Sequence, residues 1–434
     1  MQLLHGPISR PFLPRLPRFW AVLALAGLWA CSSDSSGPTH ESSVPTTLMA
    51  VEGVGLQAPA GTVLPEGPTV EVRDQFGDPM EGVVVAFLVT DGGGAAPEQT
   101  RETDSQGRAR IPWILGREVA SPQRLRAAVG SLSVEFQAVS IVAVPGQSYI
   151  GRNGYTEYFP GEIPIILSAP HGGHLTPAEI PDRTEGTTVQ DRNTVDLALR
   201  IREAIRARTG FYPHLILSHL DRIKLDPNRE IVEAAQGDLE AERAWWEFQT
   251  FIDEAVQLVE DAFGEGLYID LHGHGHEIQR LELGYLLSPN DLASANEVLS
   301  GSPFIDKSSF KALGLKAGVN FADLIRGPMS LGSLLESAGV PAVPSQNQPT
   351  PGGDPYFTGG YNSARHGSRD GGSVSGVQIE CNYTGIRDTD ENRQAFAGGL
   401  AEVLAAFFPA FYGLELAPVG PLASPLPAHP TFPE

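Results

Sequence analysis

From Ile163 onward short apolar runs alternate with long amphipathic ones, and this alternation constrains the fold more than any other feature of the chain. Ile163-Pro164-Ile165-Ile166-Leu167-Ser168-Ala169, Leu215-Ile216-Leu217, Leu267-Tyr268-Ile269-Asp270-Leu271 and Val377-Gln378-Ile379 have the length and the β-branched content of strands. Val195 to Ile205, Asp238 to Phe263 and Arg393 to Phe408 put their apolar residues on a helical face. Strands separated by such helices predict, over 147–416, an α/β domain with a central mixed, largely parallel sheet flanked by helices.

Open α/β sheets hold ligands just beyond the carboxyl ends of their strands. The polar clusters of this region fall there: Pro170-His171-Gly172-Gly173-His174, Arg222 with Asp226-Pro227-Asn228-Arg229, Asp270-Leu271-His272-Gly273-His274-Gly275-His276, and Glu380-Cys381-Asn382. Alternate spacing in an extended segment is expected to aim His272, His274 and His276 at one face, an arrangement that a metal ion satisfies, with a pH-sensing or hydrogen-bonded cluster as the alternative. With only Cys31 and Cys381 in the chain, no cysteine-based zinc site can form, so any metal rests on histidines and carboxylates.

Over 47–144 the texture is different. Thr69-Val70-Glu71-Val72, Gly82 to Val89 and Leu132 to Phe136 are short β-branched runs separated by Gly, Pro and Asp turns, which predicts a β-sandwich. Val72 to Val83, followed by Thr103-Asp104-Ser105-Gln106-Gly107-Arg108-Ala109, resembles the bacterial immunoglobulin-like domains of the invasin group, which implies a spacer or adhesion module. The expected class is therefore multidomain: an all-β Ig-like sandwich followed by the α/β domain.

Residues 1–30 have the layout of a signal peptide. Arg10, Arg15 and Arg18 precede the apolar run Phe19 to Ala30, which at 12 residues is shorter than the roughly 20 a spanning helix needs. Leu28-Trp29-Ala30-Cys31 resembles a bacterial lipobox, which implies a lipid anchor on Cys31 and a cell-envelope address, with Ser32 pointing to the outer membrane. Residues 31–46 read as a Ser/Gly/Pro tether, and 417–434, rich in proline, as a disordered tail. Thirty Lys+Arg against 52 Asp+Glu give a formal charge of -22, a surface that repels nucleic acid.

Six segments in order resemble the N-formylglutamate amidohydrolase family of the zinc carboxypeptidase-like superfamily. They are Ser168-Ala169-Pro170-His171-Gly172-Gly173, Asp191 opening a helix, Arg222 through Asn228-Arg229, Ile269-Asp270-Leu271-His272, Gly359-Gly360-Tyr361 ahead of His366-Gly367, and Gln378-Ile379-Glu380. The resemblance implies one catalytic zinc ion. His171 and His272 would be ligands, with Asp191 the preferred third and His174 the alternative; Asp270, His274 and His276 would orient the ligand imidazoles. Glu380 would be the catalytic base. Arg222 would stabilise the oxyanion, and Asn228 with Arg229 would hold the substrate's carboxylate, a task suited to arginine's planar fork. Asp226 would hold one of these arginines, and Gly359 to Arg365 would be a mobile loop over the pocket.

The function expected is zinc-dependent hydrolysis of an N-acyl or amide bond in a small N-acyl amino acid or peptide. The alternatives are a carboxypeptidase-like enzyme acting on peptide or cell-wall amides, and a non-catalytic surface adhesion or binding lipoprotein.

Overall fold

Gly82 has a φ of +74°, which ends a turn rather than continuing a strand, so the valine-rich run that follows starts two residues later than its composition suggests. The structure, a computed structural model, describes residues 42–416. The expected signal peptide, Cys31, most of the tether and the proline-rich tail lie outside the described residues.

Eight strands build the first part: β1 (Pro45–Glu52), β2 (Leu56–Pro59), β3 (Thr69–Asp74), β4 (Val84–Asp91), β5 (Thr100–Glu102), β6 (Arg108–Arg110), β7 (Pro122–Val129) and β8 (Leu132–Ile141). They form a three-stranded sheet, β1-β3-β6, and a five-stranded one, β2-β8-β7-β4-β5. Period-two alternation sends Val85 and Phe87 of β4 inward and leaves Val84 and Leu88 exposed. The inward set meets Val70, Val72, Trp113, Leu125 and Phe136 in one apolar core.

The second part is a mixed eight-stranded sheet. Its strands are β9 (Tyr149–Ile150), β10 (Thr156–Phe159), β11 (Ile165–Ala169), β12 (His214–Ser218), β13 (Gly266–His274), β14 (Leu281–Gly284), β15 (Ala342–Val343) and β16 (Val374–Asn382), in the order β15-β14-β16-β13-β11-β12-β10-β9. The four central strands β16, β13, β11 and β12 are parallel, whereas β14 runs antiparallel to β16 and β10 to β12.

Strand parity divides the side chains. Ile165, Leu167, Ile269, Leu271, Val377 and Ile379 share a core with Leu197 and Ile201 of α1 (Thr194–Thr209) and Phe396, Leu400 and Phe407 of a closing helix. The other parity carries Ile166 and Tyr268, which pack on Phe248, Phe251 and Ile252 of α2 (Leu239–Phe263). Further along that parity come Ser168, Asp270, His272, Gln378 and Glu380, so one face of the sheet turns from apolar to chemical as its strands run toward their carboxyl ends. The helix α3 (Asp390–Phe411) is that closing helix. Asp238 caps α2 by accepting from the backbone N–H groups of Glu240 and Ala241, and Gly210 and Gly264 end α1 and α2 in the left-handed conformation that glycine adopts freely.

From Ser43 onward the chain is one compact unit, because the sandwich is fastened along α2. Arg110 Nη1 bonds Glu240 Oε1 at 2.7 Å, Arg243 Nη2 donates to the Pro65 carbonyl at 2.6 Å, the Val63 N–H donates to Thr250 Oγ1 at 3.1 Å, and Arg117 pairs with the buried Glu254 at 2.5 Å. These helix positions recur at intervals of three, seven and four residues and so line one face.

Candidate metal centre

His171 follows β11, His272 lies near the end of β13, and Asp191 stands three residues before the first residue of α1. Asp191 is held by its own backbone: its N–H donates to the His171 carbonyl at 2.9 Å, and its carbonyl accepts from Thr194 Oγ1 at 2.8 Å. Its Oδ2 lies 3.3 Å from His171 Nδ1 and 3.1 Å from His272 Nδ1, and accepts the Gly273 N–H at 3.1 Å. All three residues are buried.

The outer nitrogens decide what these inner ones are. His171 Nε2 meets Asp226 Oδ1 at 2.6 Å and His272 Nε2 meets Asp270 Oδ2 at 2.8 Å, so each ring donates outward to a buried carboxylate. That assignment leaves both Nδ1 atoms as lone pairs directed at a third acceptor, Asp191. Three acceptors without a shared proton need a cation. A tetrahedral zinc with bonds of about 2.0–2.1 Å sets its ligand atoms about 3.3 Å apart, and the two separations above are of that size. Two neutral imidazoles and one carboxylate leave such an ion at net +1. The donor set fits zinc.

The electrostatics agree. Burial alone would raise the carboxyl of Asp191, but hydrogen bonds and charge from His171 and His272 hold it well below the usual carboxylate range. Burial would lower His272, yet the charge of Asp270 and hydrogen bonds to Asp191 and Asp270 hold it well above the ordinary imidazole value. Without an ion a proton supplies the positive charge that this pocket demands.

Glu380 stands beside His272 in register on the neighbouring parallel strand. It is buried, and its Oε1 accepts from Gln378 Nε2 at 2.7 Å. Burial pushes its carboxyl up to about 7, with the positive charge of His272 opposing the rise and the negative charge of Asp191 adding to it. Asn228 is also at the cluster, its Nδ2 3.2 Å from His272 Nε2 and its Oδ1 accepting the Asn362 N–H at 2.8 Å.

The two arginines part company. Arg222 reaches the cluster: Nε and Nη2 bond Asp226 Oδ2 at 3.0 and 2.9 Å, and Nη1 lies 3.8 Å from Asp191 Oδ1. Asp226 thus holds Arg222 and His171 together. Arg229 is about a third exposed and turns its Nε to Glu233 at 3.0 Å and Nη1 to the Asn228 carbonyl at 2.8 Å, with no bond to the ligand cluster.

Three expectations are revised by the geometry. His174 is exposed and stands outside the cluster. His272, His274 and His276 do not converge, because β13 ends at His274 and the chain turns: His274 donates from Nε2 to the Arg280 carbonyl at 2.8 Å and accepts the His276 N–H at 3.1 Å, while His276 pairs with Glu282. Tyr361–His366 is a short helix rather than a loop, with Asn362 buried and bound to Asn228, while Arg365 pairs with Asp253 on the surface side. Glu282 and Phe357 had no distinguishing signal in the sequence; Asn362 fell in the segment expected over the pocket, and the spacing of Gln378 from Glu380 puts both on one strand face.

No protein-family model matches the chain, and no curated protein matches it. Among solved structures it is similar to an N-formylglutamate amidohydrolase from Ralstonia eutropha JMP134, at 14% identity over 62% of this chain and 96% of that one, with a TM-score of 0.36. A gene product from Agrobacterium tumefaciens aligns at 15% identity over 58% of this chain and 93% of that one, with a TM-score of 0.35. The D00-D0 domain of intimin aligns at 16% identity over 25% of this chain and 51% of that one, with a TM-score of 0.19.

Proposed function

We propose that this chain is a zinc-dependent hydrolase that cleaves an N-acyl or amide bond in a small carboxylate-bearing substrate. The observation that carries the reading is the convergence of His171 Nδ1, His272 Nδ1 and the Asp191 carboxylate, each imidazole backed by its own buried carboxylate. Zinc, when bound, supplies a Lewis acid that polarises the amide carbonyl and acidifies water.

The chain's own residues supply the rest. Glu380, raised toward neutrality by burial, takes the proton from the attacking water and returns it to the departing amine. Arg222 commits Nε and Nη2 to Asp226, while Nη1 makes only long contacts, 3.5 Å to the Val189 carbonyl and 3.8 Å to Asp191 Oδ1, and can turn to the negative charge developing on the carbonyl oxygen. Arg229 reaches a substrate carboxylate by exchanging Glu233, an exposed partner worth at most about 1 kcal/mol. Asn228, fixed by the Asn362 N–H, presents its amide beside His272.

The lipobox-like segment ending at Cys31 supports a lipid-anchored, cell-envelope location. That address favours peptide or cell-wall amides as the alternative substrate class. Hydrolysis of N-formyl, N-acetyl and short peptide substrates, measured with and without a chelator and alongside metal analysis, tests the reading. One zinc per chain with chelator-sensitive turnover is expected; a chain without stoichiometric zinc, or turnover indifferent to the chelator, overturns it.

A further inference from the structure

Glu282 of β14 lies opposite Glu380 in the antiparallel pairing, and Glu380 lies opposite His272, so His272, Glu380 and Glu282 form one row across three strands. Side chains paired across neighbouring strands emerge on the same face. Glu282 therefore belongs to the face that carries the ligand cluster, two strand spacings or about 10 Å from His272. It is fully buried, and both its oxygens are used: Oε1 meets His276 Nδ1 at 2.8 Å and Oε2 accepts the Phe357 N–H at 2.8 Å.

His276 is locked on three sides. Its ring lies flat against Phe357, with centroids 4.9 Å apart and planes 6° from parallel, and His274 packs at 5.1 Å. Only a quarter of the side chain is exposed. A carboxylate oxygen accepts, so in this contact the ring donates from Nδ1. Nε2 of the neutral ring is then a lone pair, and among the described residues the ring's hydrogen bond runs through Nδ1 alone.

We propose that His276, held by Glu282 and Phe357, is a recognition subsite for a hydrogen-bond donor on the substrate's side chain: a carboxamide, hydroxyl or ammonium group. A rigid acceptor whose orientation is already fixed loses little entropy on binding. Glu282, which holds it, stands two strand spacings from His272, which suits a substrate side chain rather than the scissile bond. The inference rests on the hydrolase reading for where the substrate lies.

The test is equilibrium binding of matched ligands to the zinc-loaded chain carrying Glu380→Gln, which keeps the metal and does not turn them over: N-acetylglutamine against N-acetylmethionine, and N-acetylserine against N-acetylalanine. The donor-bearing member of at least one pair is expected to bind about tenfold tighter, and His276→Phe to bring that ratio close to one. With His276 in place its Nε2 resonance shifts with the preferred ligand and not with its partner, a readout that survives a His276→Phe chain that fails to fold. Equal binding within both pairs, a ratio unchanged in His276→Phe, or a resonance that does not move overturns the proposal. If the chain binds with this preference but the parent hydrolyses nothing, the hydrolase reading fails and the subsite stands.

Discussion

His272 and Glu380 stand directly opposite each other on the adjacent parallel strands β13 and β16. One is tied to Asp191 and Asp270, and the other accepts from Gln378. The pairing puts a buried carboxyl, pushed up to about 7, beside the candidate ligands without any loop having to move.

Metal binding depends on more than the three inner atoms. Asp191→Ala removes a ligand and is expected to abolish stoichiometric zinc. Asp226→Asn and Asp270→Asn keep the ligands but loosen the hydrogen bonds that orient His171 and His272, and are expected to weaken affinity about 10- to 100-fold. Competition with a chromophoric chelator measures all three. Affinity should also fall with pH, since zinc must displace a proton that His272 holds well above the ordinary imidazole value.

Glu380→Gln preserves shape and the contact with Gln378 but cannot carry a proton. We expect kcat to fall by about 10² to 10⁴ with zinc content unchanged. Steady-state kinetics paired with metal analysis checks this, and unaltered turnover removes Glu380 from the chemistry.

Gly172 marks a close approach behind the site. A Cβ there would lie 2.3 Å from Thr194 Oγ1 and 2.6 Å from the Val195 backbone nitrogen, at the start of the helix that Asp191 precedes. Gly172→Ala should therefore shift that helix start and weaken zinc binding. Gly275→Ala, whose Cβ meets nothing within 4 Å, is the control and should bind zinc as the parent does.

Glu247 of α2 is buried against Thr156 Oγ1, at 2.6 Å, and the Arg152 N–H, at 2.8 Å, and burial pushes its carboxyl up to about 7. A carboxyl raised on folding keeps its proton longer in the folded state, so its contribution to stability is greatest in acid and is lost as pH rises through about 7. Relative to Glu247→Gln, the parent should be more stable at pH 5 than at pH 8 by up to about 3 kcal/mol. Urea unfolding at both values measures the difference, and parallel pH profiles for the two proteins would remove this account of Glu247.

Period and spacing made much of the fold legible. Leu267-Tyr268-Ile269-Asp270-Leu271-His272 alternates strictly, so the sequence already separates an apolar parity from one bearing Asp270 and His272. Asp238 and Gly264 bracket the long helix for local reasons, a capping carboxylate and a left-handed glycine. His171, Asp191, His272 and Glu380 stood out because each lies next to an element end.

What the chain order could not contain is which end meets which. Arg229 and Arg222 read alike in sequence, yet only Arg222 shares Asp226 with His171, since a helical turn carries Arg229 to Glu233. His276 continues the spacing of His272, but β13 stops two residues before it and hands it to Glu282, a residue on another strand. The residue alphabet and its periods are local and determine strands, helices and the parity of each side chain. Partnership around an ion or a carboxylate depends on strand order and on where strands stop, which only the packing of distant segments decides.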